Sequence, residues 1–419
     1  MEGIQQVKSN NMKKLKRAGL ITVSIVITCF LVSSDRNNHD PENGMFEKIQ
    51  LSSVFYAEGG AIGDISGNGN PDVVCGPYWY KGPDFERRNA YYEPVEFDPL
   101  EYSDHFVTAV ADVNDSGRND ILVVGFPGQE AWWYENPGSD DAGEYWQRHL
   151  IFEQVDNESP AFADLTGNGK PELIFHTDGW LGYASPDPEN PSEPWIFHRI
   201  SERGEWGRYN HGLGLGDITG NGNPDILMKE GWWENPGTEW DGQTPWRHHP
   251  ADFGPGGAQM YARDIDGDGL NDVITSLEAH GWGLAWFRQV RTDGEIHFER
   301  QLIMGESHED NPHGVRFSQP HAITLADVNK SGLKDIITGK RFWAHGPDGD
   351  PEPNAPAVIY AFKPDRDEDG NVDFLPILID DDSGVGTQIE AGDLTGNGYP
   401  DLVTCNKKGG FVFLNRLSD

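Results

Sequence analysis

One short pattern recurs seven times along this chain: an Asp, then small polar residues and glycine, then an Asp or Glu opening an apolar run. The copies occupy residues 64–72, 112–120, 164–172, 217–225, 264–272, 327–335 and 393–401. Such a repeat decides the architecture, because one unit cannot bury its own apolar face and must stack on its neighbours. Successive boxes start between 47 residues (Asp217 to Asp264) and 66 residues (Asp327 to Asp393) apart, room for about four short strands each. Each interval reads alike: a small-residue strand before the box (212–218), an apolar strand after it (225–228), an aromatic strand (232–237), then an alternating one (246–249). No amphipathic helical period interrupts them.

The last interval holds only two strands after its box, at 401–404 and 410–415, while residues 45–51 precede the first box without a unit of their own. The pattern therefore predicts an all-β, seven-bladed β-propeller over 45–419, its N-terminal strand completing the last blade and closing the ring without open edges. Residues 1–34 read as a signal peptide: Lys13, Lys14, Lys16 and Arg17 precede an apolar stretch over 19–32, too short for a usual membrane span. Cys29 sits in a loose lipoprotein-type box and is a candidate for a lipid anchor, and residues 35–44 form a polar linker. The expected location is exported: periplasmic, extracellular or anchored at the outer membrane. No transmembrane span is expected in the mature protein.

A formal charge of -37 argues against nucleic acid and anionic lipid as partners and for cations. Fourteen Trp beside 51 Gly suit short strands and aromatic surfaces on which sugars stack. Cys75 and Cys405 lie in apolar runs. Sheets pack about 10 Å apart and a disulfide needs Cα atoms within about 7 Å, so both are expected as buried free thiols.

The box at Asp264, Asp266, Asp268 and Asp272 is the richest in carboxylates and is the candidate calcium loop; in other boxes Ser, Thr and Asn offer weaker neutral oxygens. The competing reading makes the boxes Asx turns that set blade register. Residues 365–373 are read as a hairpin turn, with a calcium loop as the lesser alternative. In a four-stranded blade the box turn lies at one end, and the entry to the inner strand and the loop joining the second and third strands lie at the other. Six residues before each box stand Glu58, Phe106, Glu158, His211, Ala258, His321 and Thr387. Equal register means equal direction, so Glu58, Glu158, His211 and His321 should face one mouth, with His105 and Gln259 one residue off. The second set of loops adds Lys229, His280, Trp282, Arg341, His345 and Lys407. His211, His280 and His321 are the candidate transition-metal ligands, for zinc or manganese. His149, His198, His248 and His249, on alternating strands, read as surface.

Seven such boxes resemble the FG-GAP or VCBS repeats of integrin-like and secreted bacterial propellers. The segments His211-Gly-Leu-Gly-Leu-Gly-Asp217, Lys229-Glu-Gly-Trp-Trp-Glu-Asn-Pro-Gly237 and Glu278-Ala-His-Gly-Trp282 are in addition similar to the propeller domain of the aldos-2-ulose dehydratase family. That resemblance implies zinc-assisted elimination of water from a ketosugar such as 1,5-anhydrofructose. Such chemistry needs a cation on the carbonyl oxygen, a base and an acid. Glu158 or His105 is the candidate base, and Tyr261 or Lys229 the acid. Trp180, Trp232, Trp282, Arg341 and Glu58 are candidates to hold the carbohydrate substrate. Two rival readings are a calcium-stabilised sugar-binding or adhesion propeller without activity, and a lyase on uronic acid polymers using Arg263, Arg316, Arg341 and Lys407 for carboxylates.

Overall fold

The apolar run after each box folds as a fully buried strand: Asp72–Cys75, Asp120–Val124, Glu172–Thr177, Asp225–Met228, Asp272–Ser276, Asp335–Lys340 and Asp401–Asn406. The computed structural model describes residues 44–138 and 145–417. The signal segment 1–34, Cys29 and the linker up to residue 43 lie outside them. The described chain is all-β, its only helical turns being two short 3-10 segments, Gly237–Glu239 and His308–Asp310. No helix among the described residues is long and apolar enough to cross a membrane.

Each buried strand is the second of four antiparallel strands. The first unit is Gly60–Gly63, Asp72–Cys75, Tyr78–Tyr80 and Arg88–Ala90. The second runs from Val107–Ala111 through Gln129–Glu135 into Gln147–Ala163, a 17-residue strand that continues as the first strand of the third unit. The fourth begins at Leu213–Gly216, the fifth at Gln259–Arg263, the sixth at Pro320–Ala326 and the seventh at Ile389–Gly392. Phe46–Ser52 pairs antiparallel with Gly409–Asn415 as the outer strand of the seventh sheet, Phe46 opposite Asn415. First strands of consecutive units touch, and Gly60–Gly63 also touches Ile389–Gly392 of the seventh.

The boxes explain how the sheets are held. The carboxylate that closes each box is buried and accepts backbone amides: Asp225 takes Ile218 N, Thr219 N and Asn235 N at 2.9, 3.2 and 2.9 Å. Asp120, Asp272 and Asp401 repeat this between box and third strand. The third-strand residue so held reaches into the preceding unit. Asn136 Nδ2 donates to Ile65 O, Asn235 to Leu165 O, Gln289 to Ile218 O and Asn415 to Val328 O. The Glu-Asn-Pro-Gly segments are thus clamps between units. The 365–373 segment is a turn, Asp367 accepting Asp369 N and Asn371 N.

One expectation changes. Cys75 and Cys405 are joined by a disulfide, with Cα atoms 6.1 Å apart. The ordinary sheet spacing does not apply because Gly60 and Gly410 leave the space: a Cβ on them would sit 2.7 Å from Cys405 Sγ and 2.6 Å from Cys75 Sγ. The outer-strand histidines keep their exposure, His248 exposed and the others half-buried, and lie flat on aromatic neighbours: His149 on Trp133, His248 on Trp233, His249 on Trp232 and His198 on Tyr183.

Replacing Asp225 by Ala strands three amides in the interior and is expected to cost about 3 kcal/mol or more. Asp217→Ala, whose amides face water, should cost about 1 kcal/mol or less, both read by denaturant unfolding. Burial pushes the carboxyls of Asp120, Asp225, Asp272 and Asp335 up to about 6. A carboxyl raised in the folded state stabilises most below its unfolded value and loses that contribution as pH climbs through about 6. Repulsion within a chain of charge -37 acts the same way. The melting midpoint is therefore expected to be higher at pH 5 than at pH 7.5 at equal ionic strength.

Candidate functional site

Opposite the box turns, two strand entries are bulged. The ladder slips between Ile174–Ala161 and His176–Asp156, leaving Glu158 on the bulge, and again between Pro320–Lys340 and Ala322–Gly339, leaving His321 there. Bulges re-aim side chains, and the neighbouring Asn157 (φ 88°) and Gln319 (φ 61°) carry the strain. Arg341 follows the second strand of the sixth unit, His211 precedes the first strand of the fourth, and His280 lies in the loop after Asp272–Ser276.

These residues converge. One ligand atom from each of Glu158, His211, His280 and His321 fits within a sphere of contacts no longer than 4.8 Å. Glu158 Oε2 lies 3.1 Å from His321 Nε2 and 3.3 Å from His211 Nε2, and His211 Nε2 faces His280 Nε2 at 3.0 Å. Arg341, 2 % exposed, sets Nη1 2.8 Å from His321 Nε2 and 3.4 Å from Glu158 Oε2, while its Nη2 pairs with Glu58. Against the penalty of burial, hydrogen bonds from His211 and His321 hold the Glu158 carboxyl well below the usual range. Burial, aided by the Arg341 charge, pushes His321 down to about 3, so its imidazole is neutral; burial also lowers His280.

No single placement of protons satisfies these contacts. Arg341 can only donate, so a proton on His321 Nε2 opposes the guanidinium, and a lone pair there opposes the Glu158 carboxylate. Between His211 and His280 one nitrogen must likewise present a lone pair. Three imidazole nitrogens and a carboxylate oxygen so arranged fit the donor set of a transition metal such as zinc.

The remaining candidates part company. Glu58, Glu158, His211 and His321 meet around Arg341, but Glu58 and Arg341 form a buried ion pair and do not face a ligand. His105 is sealed, its ring nitrogens on Thr108 Oγ1 and Tyr92 Oη. Tyr261 donates to Ile323 O and faces a separate cavity of about 320 Å³ between the first strands. Gln259 and Gln388, which line that cavity, bridge units, Gln259 to Thr387 O and Ile323 N, Gln388 to both backbone groups of Thr108. Lys229 stays at the mouth, its Nζ on Pro255 O, and Gly256 separates its stem from His211. Trp232 is core, stacked on His249; Trp180 lines a peripheral cavity in the third unit under Arg199; Trp282 carries Arg316 on its ring. Asp264, Asp266 and Asp268 cluster as a loop, but Arg288 holds Asp266, and Asp272 faces inward to Ile265 N and Gln289 N, away from any shared ion.

Several residues at the mouth have no counterpart in the expected site. Asp350 accepts His345 Nδ1 at 2.8 Å and lies 3.9 Å from His280 Nδ1; a Gly-Pro-Asp-Gly-Asp turn was the only signal for it. An aromatic strip starts at Tyr209, 55 % exposed and two residues before His211, and runs through Phe126 to Tyr102 with ring centroids 5.7 and 5.0 Å apart. It ends under the ammonium of Lys407, 4.7 Å from the Tyr102 ring.

Residues 112–175, covering the second and third boxes, match the FG-GAP-like repeat family. No curated protein matches the sequence. Among solved structures the chain is similar to the exotype rhamnogalacturonan lyase YesX (TM-score 0.45, 11% identity, 89% of this chain and 76% of that one). It is also similar to an Agrocybe aegerita lectin recognising non-reducing terminal N-acetylglucosamine (0.33, 16%, 85% and 74%). The Photorhabdus luminescens Tc holotoxin pore matches at TM-score 0.36 and 14% identity over 73% of this chain, which spans 14% of that one. The second and third boxes thus lie in an FG-GAP-like repeat.

Proposed function

We propose that the chain is an exported, metal-assisted carbohydrate lyase or dehydratase, built on a closed seven-bladed β-propeller. The observation that carries the reading is the convergence of Glu158, His211, His280 and His321, whose mutual contacts no single placement of protons satisfies. The buried Arg341–Glu58 pair beneath it orients Glu158 and supplies charge balance. Contacts between the first strands of the first and seventh units, with the Cys75–Cys405 bridge, support ring closure. The bridge also supports export, since disulfides persist in oxidising compartments.

Zinc or manganese on these four residues would supply positive charge for the oxygen of a sugar carbonyl, favouring loss of the neighbouring proton. His345, half exposed, donates Nδ1–H to Asp350, which leaves Nε2 free to accept that proton. The electron pair released forms the carbon–carbon double bond as the bond to the β-oxygen breaks. Lys229 protonates the departing oxygen. Tyr209, Phe126 and Tyr102 offer the ring faces on which a sugar stacks.

Purified protein incubated with 1,5-anhydrofructose and with uronate oligosaccharides should give an unsaturated, ultraviolet-absorbing product that a chelator abolishes and zinc or manganese restores. His345→Phe should lower its rate at least about 100-fold while metal content stays unchanged. Absence of product from every substrate, or product indifferent to chelator, would contradict the reading.

A further inference from the structure

Lys407 stands in the turn between Asp401–Asn406 and Gly409–Asn415, 6 % exposed. Its ammonium lies 4.7 Å from the Tyr102 ring and 5.9 Å from that of Phe55. Among the described residues it has no hydrogen-bond acceptor and no carboxylate within pairing distance, whereas its neighbour Lys408 pairs with Asp382 at 2.5 Å. In a chain with 69 acidic and 32 basic residues, a buried lysine without a carboxylate is out of character. Desolvating an ammonium is costly unless a counter-charge arrives.

The surrounding charges say what arrives. The groups facing Lys407 are Glu58, Arg341, Asp350 and Glu101, the last exposed. Lys340, fully buried, donates to Ser318 Oγ, lies beside the Gln319 amide and feels Glu352 and Asp350. Glu58 and Glu158 are held by Arg341 and Asp350 by His345, so none of these carboxylates pairs with Lys407, and a divalent cation on the histidine cluster would add further positive charge. Lys407 also closes the aromatic strip that begins beside His211, so a sugar lying on that strip brings a substituent to the ammonium.

We propose that the substrate is an acidic sugar, a hexuronate unit, whose carboxylate is received by Lys407 while its ring lies on Tyr102, Phe126 and Tyr209. The inference rests on the reading of the mouth as a carbohydrate site. It separates the substrate from neutral ketosugars. The cation–π seat explains how the ammonium is tolerated before the ligand binds, and burial, which lowers the Lys407 ammonium's pKa, sharpens its need for an anion.

The test is titration calorimetry of the zinc-loaded full chain with hexuronate disaccharides, with their methyl esters, and with the same disaccharides reduced to neutral sugars. The acidic form should bind at least about 10-fold tighter than either neutral form, the size expected of one charge-assisted contact. Lys407→Met should erase that preference and Lys407→Arg should keep most of it. The methyl-ester comparison stands on the unmodified chain, so it holds whether or not the variants fold. Equal affinity for ester and acid, no binding of any of them, or an undiminished preference in Lys407→Met overturns the inference. Acid preference without any elimination product would sink the proposed activity and leave the acidic-sugar site. Elimination from a neutral ketosugar without acid preference would do the reverse.

Discussion

The buried carboxylate that closes each box is the interaction on which the rest depends. It gathers amides from the box turn and, in most units, from the third strand, so that one side chain fixes the turn, the strand pairing and the position of the clamp residue behind it. Without that acceptor the amides would be stranded in the interior, at about 1–3 kcal/mol each. The clamp residues Asn136, Asn235, Gln289 and Asn415 then carry order from unit to unit through the backbone carbonyls of the preceding box. Local turn chemistry and assembly of units are the same set of hydrogen bonds.

With the box end so fixed, the opposite end can hold strain. Bulges at Glu158 and His321, left-handed backbone at Asn157 and Gln319, and an ion pair between Glu58 and Arg341 sit where ladders would otherwise run straight. Buried charges are costly when unbalanced and rarely contribute net stability when balanced. Their concentration at one mouth marks a place where the fold gives up stability for geometry.

Much of this was legible because the repeat acts as a ruler. Counting back six residues from each box gathers Glu58, Glu158, His211 and His321, and the structure does place them around Arg341. The ruler could not tell which of them face a ligand: Glu58 turns inward to an arginine that looks, in sequence, like a carboxylate binder. Strand parity hid the fate of Trp232, whose ring lies in the core against His249. The Cys75–Cys405 bridge was unreadable because it depends on two glycines, Gly60 and Gly410, lying against the sulfurs of other units. Asp350, Tyr209 and Tyr102 come from loops without a repeating register, so nothing in the period points to them.

Glu158, His211, His280 and His321 are proposed to form one transition-metal site. Its most direct test is metal analysis joined to X-ray absorption on protein equilibrated with zinc, manganese and calcium together. One zinc or manganese ion per chain, with imidazole nitrogens and one carboxylate oxygen in its coordination shell, and its loss in His321→Ala, is the result predicted. Calcium alone, no stoichiometric metal, or a transition metal retained unchanged in His321→Ala would contradict the account.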